Sequence, residues 1–225
     1  MLDHVLLIPD GNRRWARETG KPPEEVYATV ALQITPMVIK YLLIEKNIKE
    51  FSIFAVSKNN LIMREKNELD SILRAQISAY EYLQRDSDIV NSKIRFKFVG
   101  DLALTPNDYR EAAKTLSDLT AQNTSHVCNF LVGYDAQHEL VQGINAMIKS
   151  GENINENNYK NFLQLKSDID IVVRTGFEKR LSGAPLLQSR YAELFFCDYY
   201  YPDLTKEKID DIIKEFNSRK RRFGV

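Results

Sequence analysis

The chain is poor in the residues that announce many kinds of chemistry. Its 225 residues include two cysteines, three histidines and one tryptophan. Cys128 and Cys197 lie far apart in strand-like apolar text and form no CxxC pair, so neither a disulfide framework nor a zinc site is indicated. Both read as buried thiols in a reducing compartment. No charge of one sign dominates: 31 Lys+Arg balance 31 Asp+Glu. The chain therefore lacks the overall pull of a nucleic-acid or anionic-membrane binder, and any anion site is local. No basic start precedes an apolar run, and no stretch reaches the ~20 apolar residues of a span, so neither a signal peptide nor a transmembrane segment is expected. A cytoplasmic protein is the expectation. GxGxxG, GxxxxGK[ST], HExxH and GxSxG are all missing, which speaks against a Rossmann, P-loop, zinc-protease or serine-hydrolase site.

With 44% hydrophobic and 28% charged residues, the composition is that of a soluble globular protein with a core of its own. Six short runs rich in Val, Ile, Phe or Leu have strand length: His4 to Pro9, Phe51 to Val56, Arg95 to Gly100, Val127 to Val132, Ile169 to Arg174 and Leu194 to Cys197. Longer stretches with helical spacing alternate with them, including Glu24 to Lys46, Lys66 to Arg85, Pro106 to Gln122 and Ala136 to Lys149. The alternation predicts an α/β fold with a mostly parallel sheet flanked by helices. Pro36 falls inside the first long helix and should kink or break it. Thr105-Pro106 offers a hydroxyl cap with proline at the first helical position, and Ser150-Gly151 a stop. No linker or repeat divides residues 1–225, which read as a single domain.

Ligands of an open parallel sheet bind beyond the carboxyl ends of its strands. There the sequence offers Asp10-Gly11-Asn12-Arg13-Arg14-Trp15 after the first strand. Ser57-Lys58-Asn59-Asn60 follows the second, and Arg174-Thr175-Gly176, with Arg180 and Ser182, the fifth. One carboxylate, four arginines, three hydroxyls and a helix N-terminus preceded by glycine suit a diphosphate ester accompanied by a divalent metal. Magnesium keeps most of its waters and accepts one carboxylate beside phosphate oxygens, so Asp10 alone suffices as its protein ligand. Taken by itself, Asp10-Gly11-Asn12 also reads as a plain turn. The basic run Arg219-Lys220-Arg221-Arg222 reads as a solvated helix face or subunit contact rather than a nucleic-acid patch.

The segment Asp10-Gly11-Asn12-Arg13-Arg14-Trp15-Ala16 resembles the signature of the cis-prenyltransferases, the undecaprenyl diphosphate synthase family. The likeness resumes at Ala55 to Asn60, Val99-Gly100-Asp101, Ile169 to Gly176, Arg180-Leu181-Ser182, Tyr191 to Phe196, Tyr201-Pro202-Asp203 and Arg221-Arg222-Phe223-Gly224. The resemblance implies a homodimeric enzyme with a six-stranded, mostly parallel sheet, a magnesium ion (Mg2+) and two adjoining prenyl diphosphate sites. It implies that Asp10 holds the metal and the allylic diphosphate, with Gly11, Asn12 and Arg14 cradling the same group. Arg13 and Trp15 belong to the same substrate-binding segment. Arg174, Arg180 and Ser182 would bind the second diphosphate, Ser57 and Asn60 would support the aspartate and the leaving group, and Glu193 would assist the metal from the entry of the last strand.

The departures from the family pattern are concentrated. Arg13 stands where chain elongators carry glycine, Pro23 and Tyr27 replace an arginine and a histidine, and Asn-Trp-x-Arg reads Asn60-Leu61-Ile62-Met63, with Arg64 one position late. Gly133-Tyr134-Asp135-Ala136-Gln137-His138-Glu139 replaces a run containing Asn-Tyr-Gly-Gly. Tyr27, with an unperturbed pKa near 10, offers a phenol for a phosphate oxygen rather than a proton carrier at neutral pH. These changes resemble the lavandulyl and cyclolavandulyl diphosphate synthases. The first expectation is thus head-to-middle coupling of two dimethylallyl units, with head-to-tail addition of isopentenyl units second and a non-catalytic subunit third. The departing proton would pass to a phosphate oxygen or to His138. Leu32, Leu69, Leu73, Ile77 and Tyr80 would shield the cation, and Tyr80 and Tyr82 suggest a short pocket.

Overall fold

The computed structural model describes residues 2–219. The run Lys220-Arg221-Arg222 and the motif that ends at Gly224 lie outside them. Six strands, β1 (His4–Ile8), β2 (Glu50–Ser57), β3 (Ile94–Val99), β4 (His126–Tyr134), β5 (Ile171–Arg174) and β6 (Glu193–Phe196), form one sheet in the order β3-β4-β2-β1-β5-β6, with every neighbouring pair parallel. Around it run α1 (Asn12–Thr19), α2 (Pro23–Glu45), α3 (Lys58–Met63), α4 (Lys66–Arg85), α5 (Ser87–Asn91), α6 (Asn107–Leu119), α7 (Ala136–Ser150) and α8 (Lys206–Ser218). After β1 the chain turns to β2 on one side, while β5 returns on the other. The gap between the tips of β1 and β5 is therefore the switch point at which a doubly wound sheet opens a crevice.

Alternation along the strands sorts the core. Val5, Leu7, Phe51, Ile53, Ile171 and Val173 belong to the larger cluster, which also takes Val38, Ile39, Leu42 and Leu43 from α2 and Ile209 and Phe216 from α8. Leu6, Ile8, Phe54, Leu131 and Val172 belong to a second cluster, closed by Leu165, Ile169 and Ala184. Both faces of a parallel sheet are covered, as its apolar strands require.

Pro36 does not break α2. Two π-helical stretches, Val30–Ile34 and Lys40–Glu45, flank the α-helical turn Thr35–Ile39, and the Thr35 amide donates to the carbonyl of Val30. Widening the helix before the proline absorbs the hydrogen bond that proline cannot make. The helix is also long and apolar enough, by length and composition, to cross a membrane, contrary to the sequence expectation. Half of its most apolar window is buried inside the protein, so it serves as a core helix. The cap expected at Thr105 is not formed: α6 starts at Asn107 without a side-chain cap, and the Thr105 hydroxyl donates to Leu102. The stop at Gly151 is, with a left-handed φ of 67°.

At the amino ends of the strands lies a buried polar network. His4 is held by the Ser52 hydroxyl at 2.8 Å and the Asp168 carbonyl at 3.1 Å, and the Asn129 amide donates to Ser52 and to Glu50. Burial pushes the His4 pKa below its ordinary 6.5, against the opposing pull of Glu50. The unfolded chain thus takes up this proton before the native one does, so its contribution to stability is complete above about pH 6.5 and declines as pH falls below it. We expect the urea midpoint to drop between about pH 7 and about pH 5, with a shallower drop in His4→Gln. Equal slopes for both proteins would remove His4 from that account.

Candidate active site

The carboxyl tips of β1 and β5 are stitched together at backbone level. The Asp10 amide donates to the Thr175 hydroxyl at 3.0 Å, and that hydroxyl donates back to the Asp10 carbonyl at 2.8 Å. Such an approach needs glycine. Gly176, with φ of 88°, would place a Cβ 2.8 Å from the Asp10 carbonyl carbon and 3.0 Å from Arg14 Nη2. Gly11 has φ of 102° and caps α1 without any side-chain hydrogen bond, so the first-turn amides and the positive end of the helix dipole are left for an anion.

Around this stitch several of the side chains singled out in the sequence come together. Arg174 Nη2 donates to Asp10 Oδ2 at 2.9 Å, Arg14 Nη2 to Asp10 Oδ1 at 3.3 Å, and Arg174 Nη1 to the Ser182 hydroxyl at 3.0 Å and the Arg180 carbonyl at 2.5 Å. Phe177 and Ser182 are non-glycine residues in the left-handed region, with φ of 65° and 55°, so the loop joining them carries strain of the kind that gathers at functional sites. Asn12 Oδ1 and Arg174 Nε are buried and have no hydrogen-bond partner in the protein. One is an acceptor and the other a donor, so the pair suits a cation or its water on one side and a phosphate oxygen on the other.

Two carboxylates that order this arrangement escaped the sequence reading. Glu178 accepts from Arg14 Nη1 at 3.1 Å and from Arg180, holding the guanidinium after β1 to the one after β5. Its signal was an acid set between Arg174 and Arg180. Glu68 accepts from the Tyr27 phenol at 2.5 Å and from Arg64 at 2.8 Å, with Arg13 Nε at 3.5 Å. No local spacing ties a residue of α4 to Tyr27 and Arg13.

Several expectations are corrected. Tyr27 is buried and spends its proton on Glu68; burial and that carboxylate together raise its pKa. Its phenol is thus not turned to a phosphate. Arg13 faces Glu68 rather than Asp10, because successive helical positions point about 100° apart. Trp15 donates its indole N–H to Asp203 at 2.8 Å, which locks α1 to the turn Tyr201–Asp203 instead of touching a ligand. Ser57 caps α3 by accepting from the Asn60 amide at 3.1 Å. Glu193 opens β6, opposite Ile171, and pairs with Arg219 at 2.6 Å. Asp10 lies beyond the other end of the strands, so within one chain Glu193 does not join it.

His138, the candidate proton carrier, sits in the first turn of α7 with Lys58 Nζ 2.9 Å from its Nδ1. An ammonium has donors only, so Nδ1 is the acceptor and the ring hydrogen is on Nε2. The imidazole is a donor and not a waiting base. Of the expected apolar wall, Leu73 and Tyr80 are buried, Leu69 and Ile77 pack against the core, and Leu32 is exposed. Tyr82 points outward to Asp86.

Among the described residues no three His, Cys, Asp or Glu side chains gather into a metal site. A metal held by protein ligands alone does not fit. Magnesium arriving with a diphosphate does: Asp10 supplies one partly exposed carboxylate, and Asn12, two residues on at the start of α1, supplies an unpartnered oxygen.

A family model described as "Putative undecaprenyl diphosphate synthase" matches residues 8–224. An isoprenyl transferase of Campylobacter jejuni is 33% identical over 99% of this chain and 98% of its own. A tritrans,polycis-undecaprenyl-diphosphate synthase (geranylgeranyl-diphosphate specific) of Pyrococcus furiosus is 33% identical over 98% of this chain and 86% of its own. Among solved structures, a probable undecaprenyl diphosphate synthase from C. jejuni superposes with a TM-score of 0.82 at 29% identity, covering 100% of this chain and 99% of that one. Lavandulyl diphosphate synthase from Lavandula x intermedia, in complex with dimethylallyl diphosphate, gives 0.88 at 26% identity, covering 99% and 98%.

Proposed function

The chain belongs to the undecaprenyl diphosphate synthase family of prenyltransferases, and on that premise we propose that it joins prenyl diphosphates head to tail, adding isopentenyl units to an allylic diphosphate. The relatives' names support this reading over the head-to-middle coupling placed first from the sequence, since one of them is a tritrans,polycis-undecaprenyl-diphosphate synthase at 33% identity over nearly the whole chain. The observation that carries the reading is Asp10 bound to Arg174 and Arg14 at the switch point, with Asn12 Oδ1 and Arg174 Nε still unpartnered beside it.

The allylic diphosphate lies over the N-terminus of α1, where the first-turn amides and Arg14 take up the charge that grows on the leaving group. Asp10 and the Asn12 oxygen would hold magnesium, which when bound neutralises part of that charge. Arg174, Arg180 and Ser182 orient the second diphosphate so that its double bond faces the allylic cation. A new carbon–carbon bond forms there, and the proton lost afterwards passes to a diphosphate oxygen, because His138 is already a donor. We further propose that the enzyme is cytoplasmic, its free thiols Cys128 and Cys197 both buried, and that it works as a homodimer through the exposed apolar face of α7, where Val141 and Ile148 are 53% and 74% exposed.

A second reading, head-to-middle coupling to a ten-carbon product, is favoured by the floor beneath the crest, the row of carboxyl tips of the strands. The Tyr80 ring is clasped by Phe98 and Phe130, each at 5.0 Å, and its hydroxyl bonds that of Tyr109 at 2.6 Å. Tyr109 donates to Gln76, whose amide donates to the carbonyl of Ala55, two residues before Ser57. A growing chain entering beside α4 meets this plug early. Product analysis separates the two. With dimethylallyl diphosphate and magnesium alone, head-to-tail chemistry yields no product until isopentenyl diphosphate is added, whereas a ten-carbon diphosphate formed without it establishes head-to-middle coupling. A chelator should abolish either activity.

A further inference from the structure

Building on the diphosphate chemistry proposed above, we infer that Lys58 and His138 form a further cationic arm of the site that binds diphosphate oxygens from the β2/β4 side of the crest. Each guanidinium described so far is compensated. Arg174 and Arg14 face Asp10, Arg180 faces Glu178, and Arg13 and Arg64 face Glu68. Lys58 differs from them, because its hydrogen-bond partner is the neutral ring nitrogen of His138 at 2.9 Å. One of its three N–H donors is used there. The other two are available, and the charge is not cancelled by a contacting carboxylate.

The pair is linked to Asp10 through a chain of contacts. From Asp10 the contacts run through Arg174 to Ser182. Gly183 next accepts the Ala136 amide at 3.0 Å, and Asp135 caps α7 by accepting the His138 amide at 3.1 Å. Lys58 follows Ser57, at the end of the strand beside β1. Its ammonium and the Asp10 carboxylate thus stand on neighbouring strand tips. The Lys58 contact leaves the ring hydrogen of His138 on Nε2, and Asp101 Oδ2 stands 3.9 Å from it. That is beyond hydrogen-bond reach, so the Nε2–H is free for an anion. Lys58 makes the principal contact; His138 positions it and adds one donor.

Inorganic pyrophosphate is the probe, with its affinity measured by calorimetry in the presence of magnesium. Lys58→Met should weaken binding about tenfold or more, as loss of a charge-assisted hydrogen bond does, and the difference should shrink at high salt. His138→Phe should weaken it severalfold, while His138→Gln, which keeps an acceptor for Lys58 and a donor, should recover most of it. Nitrogen-15 spectra of the imidazole report positioning: a bare Nδ1 in the native protein, and a mixture of ring tautomers in Lys58→Met. Unchanged pyrophosphate affinity in Lys58→Met, while the native protein couples prenyl diphosphates, would overturn the arm and leave the function standing. Lysine-dependent pyrophosphate binding in a native protein that couples none would sustain the arm and overturn the function.

Discussion

Replacing Asp10 by alanine is expected to lower turnover by about 100-fold or more, equivalent to ~3 kcal/mol of barrier, because one preorganised charge-stabilising contact is lost. The arrangement argues that the loss is chemical. The side-chain carboxylate is one-third exposed, and it faces two guanidiniums and the Gly11 amide. In the variant, Arg174, whose side chain is 6% exposed, loses its counter-charge, and a buried unpaired cation is destabilising. Asp10→Asn separates the effects, since it keeps the volume and one acceptor but removes the charge. Asp10→Asn, which also leaves Arg174 without its counter-charge but keeps an acceptor for it, should melt between Asp10→Ala and the native protein and still show most of the loss in kcat. Native turnover in either variant would remove Asp10 from the reaction.

Glu139→Ala should have the largest effect on stability. Glu139 is 4% exposed and satisfies four donors: the amides of Gln164 and Leu165 at 3.0 and 2.9 Å, the Tyr134 phenol at 2.6 Å and the Gln188 amide at 3.0 Å. Alanine leaves the two backbone amides and the Tyr134 phenol without that acceptor, while the Gln188 amide keeps only the Leu165 carbonyl, for a loss of about 3 kcal/mol or more. For a chain of this length that lowers the melting temperature by roughly 6–12 °C. Glu139→Gln should forfeit less, because its carbonyl oxygen can still accept both backbone amides, and Gln188 Oε1, unpartnered now, can turn to accept from the new amide. A melting temperature for Glu139→Ala within 2 °C of the native value would contradict this account. Because Glu139 follows His138 on α7, its loss should also weaken pyrophosphate binding through the arm at Lys58.

The elements were legible because hydrophobic period is a local property. The strands after His4, Phe51, Val127 and Ile169 start within two residues of where the sequence places them, and α4 runs from Lys66 to Arg85 as expected. The crest was legible for a related reason. In a parallel sheet every carboxyl end lies on one side, so residues following strands are brought together whatever their distance along the chain. Asp10 and Arg174, 164 positions apart, meet at 2.9 Å.

The partner of each group was not legible. Glu68 and Glu178 are ordinary acids in the sequence, and only packing aims them at Tyr27, Arg13, Arg14 and Arg180. Trp15 and Tyr27 sit in the right segments but face protein partners, since a segment's position does not settle which way a helix turns its side chains. The chain alone determined the layers, the strand tips and the charges placed on them. Tertiary contact decided which of those charges are neutralised and which stay open to a ligand, because a hydrogen bond depends on distances of a few tenths of an ångström that no local pattern encodes.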